Sequence, residues 1–305
     1  MADYSETTLS RAGQVQHTLL LVLTALIWGM AFAAQSIGAE YVGAFTFLAA
    51  RSWIAVIALL PVIRLTDWKK QKEGRPTGAP STAKDRGNLR TASLLCGFFL
   101  FAASASQQIG IAYTTTAKAS FITALYCVVV PVISIFLGKR PDKRIWLCVA
   151  LSVAGLYLLC FQGAVRPSAG DLALLLCAVL FALQILTVDH YETSVDGIRL
   201  SEGQFLVTAV FATIAALFFE KITPETLAAA LPAILYAGLF SSAVGYTLQI
   251  VAQRGLDPTI ASLAMCLESV FGALSGWIFL HQTMTPREIA GAGLMFAAIV
   301  IAQFL

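Results

Sequence analysis

Long apolar runs alternate with short polar joins along almost the whole chain. Ten runs stand out, roughly residues 18–37, 43–63, 91–113, 117–138, 145–162, 170–189, 202–219, 227–250, 259–281 and 287–305. A helix needs about 20 apolar residues to cross a hydrocarbon core of about 30 Å. The pattern therefore predicts an all-α integral membrane protein with ten transmembrane helices. It also repeats: Ile135-Phe136-Leu137, a polar turn and an apolar run from Ile145 return as Ile278-Phe279-Leu280, a polar turn and a run from Ile289. Each copy closes a set of five runs, and duplication on that scale constrains a fold more than a short motif does. Five is odd, so the second set threads the membrane upside down relative to the first, giving two inverted five-helix repeats. The predicted division is a polar N-terminus over 1–16, a first repeat over 17–163 and a second, inverted repeat over 164–305.

Aligning the two halves supports the duplication as a pattern rather than residue by residue. At an offset of 153 residues Ala25-Leu26-Ile27-Trp28 falls on Ala178-Val179-Leu180-Phe181, and Arg51 falls on Gln204. The repeat ends need an offset of 143, as Leu137 on Leu280 requires, and the connecting loops absorb the difference. The longest polar stretch, Thr66 to Asn88, holds Gly74, Pro76, Gly78, Pro80 and Gly87 among many cations, so a flexible loop is expected over 66–90. Gly272-Ala273-Leu274-Ser275-Gly276 is a GxxxG pattern, suited to close helix packing inside the bundle or to a homodimer.

Composition makes the membrane reading hard to avoid. The chain is 58% hydrophobic and 12% charged, against about 25% charged in soluble domains, and a soluble fold of this length has no way to hide so much apolar surface. Lys and Arg of short loops favour the cytoplasmic side. With the N-terminus inside, fifteen of the 20 basic residues fall in cytoplasmic segments, while Lys118, Arg166, Lys221 and Arg287 fall outside and Arg51 lies within a helix. The repeated turn carries four cations in its first copy and one in its second, so the two copies face opposite sides. The expected location is the cytoplasmic (inner) membrane, multi-pass, with both termini in the cytoplasm. Arg11 and Ala31-Phe32-Ala33 resemble the ends of a signal peptide, but cleavage there would delete one helix from a complete repeat. All six cysteines fall inside apolar runs without CxxC or zinc-ligand spacing. No metal, cofactor or nucleic-acid partner is expected; the expected partners are the bilayer and a small molecule.

Candidate chemistry is sparse. GxSxG, HExxH and GxxxxGK[ST] motifs are absent, and no pair of acidic residues sits within a membrane run. This argues against an enzyme. Glu268 lies in the apolar run Ala261 to Leu280, where a charge costs roughly 2.5–3.5 kcal/mol on insertion scales and normally faces a cavity or a partner. It suits a substrate-amine or proton site, or a structural carboxylate between helices. Arg51, inside the second run, can pair with Glu268, bind a substrate carboxylate or snorkel to an interface. Lys118 starts a helix after Thr114-Thr115-Thr116, which suits boundary chemistry, gating or substrate capture. Gln107, Gln108, Gln184, Gln249, Ser106, Tyr126 and Tyr246 also interrupt apolar runs. Each alone fits interhelical hydrogen bonding, and together they predict a polar central cavity. Trp28 lies deep in its run, away from the interfaces where tryptophans concentrate, and fits a cavity wall or apolar packing. Pro131 removes one backbone hydrogen bond and is the candidate hinge.

These features, in their order, resemble the EamA-type ten-helix transporters of the drug/metabolite transporter superfamily. The resemblance covers residues 18–305. It rests on Leu26-Ile27-Trp28-Gly29, Ala119-Ser120-Phe121-Ile122-Thr123-Ala124-Leu125-Tyr126, Pro131-Val132-Ile133, Leu267-Glu268-Ser269-Val270-Phe271 and Gly276-Trp277-Ile278-Phe279-Leu280. It implies an inverted-repeat carrier that moves small organic solutes such as amino acids, often outward, by alternating access. It also implies a cavity walled by helices 1, 3, 4, 6, 8 and 9, with helices 5 and 10 peripheral. Trp28, Gln108, Tyr126, Tyr246 and Glu268 are the cavity residues expected on that plan, with Arg51 and Glu268 as a coupling site or ion pair. One departure is visible: where many relatives have Leu-Gly-Glu, this chain has Leu137-Gly138-Lys139 and Leu280-His281-Gln282. The alternatives are a membrane-embedded lipid-modifying enzyme, expected to cluster catalytic groups near one interface, and a channel, which would lack saturable, counterflow-stimulated flux.

Overall fold

The computed structural model describes residues 11–138, 142–160, 169–280 and 285–302. Among the described residues every regular element is helical. In chain order they are α1 (Arg11–Ala39), α2 (Ala44–Lys72), α3 (Ala83–Ile111), α4 (Thr116–Ala124), α5 (Tyr126–Phe136), α6 (Ile145–Cys160), α7 (Ala169–Tyr191), α8 (Gly197–Phe219) and α9 (Pro224–Tyr236). A π-helical stretch (Ala237–Gly245) then leads into α10 (Tyr246–Gln253), α11 (Pro258–Met265), α12 (Glu268–Leu280) and α13 (Pro286–Ala302). Counting helices broken within one crossing together, eight are long and apolar enough to cross a membrane, and two shorter apolar helices, Ile145–Leu158 and Ile289–Ala302, complete the set. Large side chains such as Phe136, Leu217 and Phe218 stay exposed on the perimeter, the surface a lipid solvent would cover.

The helices differ from the apolar runs in instructive ways. Much of the polar stretch expected as a loop over 66–90 is helical: α2 continues to Lys72, and α3 begins at Ala83 behind a capping box in which Thr82 and Asp85 satisfy each other's backbone N–H groups. Only residues 73–82 connect them. The fourth and ninth runs are each broken near mid-length. Leu125 takes φ −59° and ψ −11°, and its N–H turns back to the Ile122 carbonyl three residues earlier. The second break falls at Cys266–Leu267, between α11 and α12. Pro131, the expected hinge, sits inside α5 and not at the interruption. The second break has no proline within it, so proline causes neither. The two breaks instead meet, with the Cys266 thiol 3.7 Å from the Ala124 carbonyl that the first break leaves free. The residues outside those described include the 1–10 segment, the 161–168 linker, and Lys139, His281 and Gln282, where the chain departs from the family pattern.

Packing follows a regular scheme. α2 lies against α8, α3 against α7, α6 against α13, α1 against both α12 and the α9–α10 crossing, and α7 against the α4–α5 crossing. Exchanging each crossing with the fifth one after it leaves this set of neighbours unchanged. Close approach rests on small residues. A Cβ placed on Gly29 would lie 2.3 Å from Phe271 Cβ and 2.7 Å from the Phe271 backbone carbon, and one on Gly155 would lie 2.6 Å from the Gly291 carbonyl oxygen. Ser275 Oγ donates to the Gly29 carbonyl at 3.0 Å, closing the same α1–α12 contact.

The antiparallel α2–α8 pair is pinned at both ends. At the start of α2, the Glu220 carboxylate accepts from the Phe45 and Thr46 backbone N–H groups at 2.9 and 2.8 Å and from the Thr46 hydroxyl at 2.6 Å. It thereby caps orphan donors of that helix from a neighbouring one. At the other end Arg199 pairs with Asp67, and Lys70 Nζ lies 3.4 Å from Asp196. Asp67 and Glu220 are 153 residues apart, as are Thr46 and Arg199, so both brackets use the same positions of the two halves.

Gly29 tests the packing argument. Gly29→Ala should lower the melting temperature in detergent, because overpacking against backbone costs about 1–3 kcal/mol. Gly87→Ala, whose added Cβ meets nothing within 4 Å, should leave it in place. Equal melting temperatures for the two variants would contradict this account of how α1 and α12 meet.

Candidate functional site

The helix breaks position a buried polar cavity at the centre of the bundle. Its walls carry Trp28 and Phe32 from α1, Arg51 from α2, Tyr126 from α5, Tyr246 from α10 and Glu268 from α12, with glutamines between them. Tyr126 and Glu268 are the first residues after the two breaks, so ending one helix and starting the next brings both side chains to the cavity. The free volume at its centre is about 20 Å³, room for about one water, so the walls must part before a solute enters.

Local structure explains several of these placements. Where the backbone runs as a π-helix, the Ser241 carbonyl accepts a hydrogen bond from the Trp28 indole N–H at 3.2 Å, a use of irregular backbone common at functional sites. Gly245 leaves room for that indole, since a Cβ there would lie 2.6 Å from Nε1. Tyr246 lies tilted by 48° against Trp28, 4.6 Å centroid to centroid, and meets Phe205 edge-on at 5.3 Å. These contacts fix an aromatic wall. Gly238 lets the same stretch press on α2 beside Arg51, whose carbonyl oxygen would lie 3.1 Å from an added Cβ.

The electrostatics are unusual for a bundle interior. Arg51 and Glu268 are each only 3% exposed, and they form no ion pair with each other. Arg51 Nη1 has a long hydrogen bond, 3.5 Å, to Gln35 Oε1, and its Nε has no partner. Glu268 Oε1 and the Tyr126 hydroxyl also lack a partner of good geometry, although they are near neighbours. Buried polar atoms are nearly always satisfied, and charges in a membrane interior mark substrate or ion pathways. A cavity with an open guanidinium and an open carboxylate on its walls can hold a molecule that carries both signs of charge.

Of the residues the sequence singled out, Trp28, Arg51, Gln107, Tyr126, Gln184, Tyr246, Gln249 and Glu268 line this one cavity. Gln108 does not. Its Nε2 donates to the Gln35 carbonyl at 3.0 Å, and one residue of helical rotation puts Gln107 on the wall in its place. Phe181 and Ile185 on α7 were not singled out; the offset of 153 residues that places Trp28 on Phe181 also places Phe32 on Ile185 and would have found both. Gln35 gave no sequence signal beyond its polarity.

Beyond the cavity, on the side where α4 and α7 begin, an apolar layer of Phe32, Ile111, Ala119, Ile122 and Leu174 fills the space. An ion pair lies over it: Lys118 Nζ is 2.8 Å from the carboxylate of Asp171, itself nearly buried. Lys118 thus bridges two wall helices at their ends.

Comparison with known proteins follows this geometry. Residues 17–161 and 168–304 each match the EamA-like transporter family. An uncharacterized transporter of Archaeoglobus fulgidus is 30% identical over 286 residues, covering 92% of this chain and 83% of that protein. The threonine/homoserine exporter RhtA of Escherichia coli K12 is 26% identical over 172 residues, covering 54% of this chain and 56% of the exporter. A protein of known crystal structure shares the fold, with a TM-score of 0.73 at 16% identity over 94% of this chain and 96% of that one.

Proposed function

The chain belongs to the EamA-like transporter family of the drug/metabolite transporter superfamily, and from that premise we propose that it is a secondary transporter that exports a small zwitterionic metabolite of the amino-acid class. The observation that carries this reading is the pair of buried, unpaired charges in one cavity. Arg51 takes the substrate carboxylate, because a guanidinium fork matches that group. Glu268, helped by the Tyr126 hydroxyl, takes the ammonium or, with the site empty, a proton. The Trp28–Tyr246 wall packs on the carbon skeleton. RhtA, similar over about half of either chain, is an exporter of threonine and homoserine, which favours this solute class and the outward direction.

Alternating access rests on the symmetric packing scheme, which suits two inverted repeats rocking about a midplane site. With the N-terminus in the cytoplasm of a cell bounded by its inner membrane, the Lys118–Asp171 pair and the apolar layer beneath it form the outer closure. The corresponding positions on the cytoplasmic side are Thr18 and Ile260, which carry no charge. The α2–α8 pair, bracketed at both faces, remains fixed while the wall helices move.

Two measurements test this. In proteoliposomes, Arg51→Met should reduce amino-acid counterflow at least tenfold, the effect of removing one charged hydrogen-bonding partner. Glu268→Gln should weaken transport and flatten its dependence on pH while membrane insertion stays normal. Wild-type flux and pH response in Glu268→Gln would remove that residue from the mechanism. Flux that rises linearly with concentration and ignores counter-substrate would identify a channel.

The outer closure has its own test. Cysteines introduced together at Lys118 and Asp171 and joined by a short bismaleimide should stop counterflow, whereas each single variant treated alike should not. Full transport by the cross-linked protein would show that these helices need not separate.

A further inference from the structure

One cluster of buried polar groups has no part in holding the two charges. Four glutamines, Gln184 on α7, Gln204 on α8, and Gln249 and Gln253 on α10, form a chain of amides, each at most 1% exposed. Gln253 Nε2 donates to the Ile185 backbone carbonyl at 2.9 Å. That carbonyl can only accept, so it fixes which end of Gln253 is nitrogen and orients every amide that follows. The Gln253 oxygen faces Gln249, which must present its nitrogen and does so at 3.4 Å. The same Gln249 nitrogen donates to Gln184 Oε1 at 3.1 Å, and Gln184 Nε2 donates to Gln204 Oε1 at 3.1 Å.

Both N–H groups of Gln249 are therefore engaged. Its oxygen has no partner, although Gln249 lines the cavity. The amide cannot flip to bring a donor there without breaking two hydrogen bonds and facing oxygen to oxygen. An unpaired buried acceptor is costly, and a chain of aligned amides polarises its terminal oxygen further. A donor brought by the cavity's occupant would satisfy it.

We propose that Gln249 is a specificity-determining residue whose Oε1 accepts a hydrogen bond from a hydroxyl on the substrate side chain, so that the protein selects hydroxylated solutes over apolar ones of the same shape. This rests on the reading that Arg51 and Glu268 hold the two charged ends of an amino acid, because the ammonium is then taken by the carboxylate and the side chain alone is left to reach Gln249. Gln184, Gln204 and Gln253 act as positioning residues: they hold the amide with its oxygen toward the cavity. The equivalent position in the first half is Gln107, 142 residues earlier, whose nitrogen donates to Thr123 Oγ1 at 3.4 Å without a second amide to lock it.

The test uses pairs of amino acids that differ by a hydroxyl in place of a methyl, threonine against valine and homoserine against norvaline. Their kcat/KM values in counterflow are measured with the full-length protein in proteoliposomes. The wild type should favour the hydroxylated member roughly tenfold, the scale of one buried acceptor left unpaired. Gln249→Met, which keeps the volume and removes the acceptor, should bring the ratio close to one while transport of valine and norvaline persists. Gln253→Met, should the first variant fail to fold, frees the Gln249 amide to rotate and should also lower the ratio. A wild type that handles both members of each pair alike, or ratios unchanged in the folded variants, would overturn the assignment while leaving the amino-acid reading intact. Transport of no member of any pair would overturn both.

Discussion

A guanidinium and a carboxylate held in one cavity without touching is the constraint on which the rest of the molecule depends. In a weakly polar interior the attraction between such charges is many times stronger than in water, and collapse into an ion pair would fill the site with the protein's own side chains. The scaffold prevents this by fixing the helices that carry the two groups. Arg51 rides on α2, which is tied to α8 at one end by the Glu220 carboxylate and at the other by the Asp67–Arg199 pair. Glu268 begins α12, whose backbone is pressed against Gly29 and bonded to it through Ser275. Neither helix is free to roll its charge toward the other. The brackets and the glycine contact are thus conditions for an open site as much as sources of stability.

Correspondence between the halves explains why the charges fall where they do. Thr115 and Asp257 cap the broken helices, and Tyr126 and Glu268 follow the breaks, each pair 142 residues apart. Gln107 and Gln249 share the same offset. Arg51 corresponds to Gln204, and Trp28 to Phe181, at 153. The cavity is therefore only loosely two-fold: arginine stands for glutamine on one side and glutamate for tyrosine on the other, and Phe32, Gln184 and Tyr246 correspond to Ile185, Ala31 and Ser104. A symmetric frame can be entered from either membrane face, whereas one cation and one anion give its occupant a single orientation.

Much of this was legible in the chain. The apolar period set the number of crossings, and eight of the cavity residues announced themselves as polar or bulky groups in apolar surroundings. What failed did so for physical reasons. Gln108 and Gln107 look alike in a sequence, and only helical rotation, about 100° per residue, decides which one faces the cavity. Pro131 is a genuine helix breaker, yet the observed interruption lies at Leu125, beside a contact between Ala124 and Cys266 across 142 residues. The polar 66–90 stretch hid two helix ends, since capping by Thr82 and Asp85 outweighs the loop-like composition around it. Tertiary contacts of this kind leave no periodic trace.

The two ends of the cavity are packed with different side chains. On the side of Lys118 and Asp171 the apolar layer contains Phe32, Ile111, Ile122 and Leu174. The matching positions at the other end are Ile185, Gln253, Ala264 and Leu21, smaller or more polar in three of the four. Opening the first closure loses apolar contacts and a partly shielded electrostatic contact together. In the export cycle proposed above, binding at the central charges supplies the energy that parts Lys118 from Asp171, and a solute that engages only one of the two charges supplies less of it. On this account recognition and release are coupled through the unequal closures, and the unpaired charges that define the site also set the order of its opening.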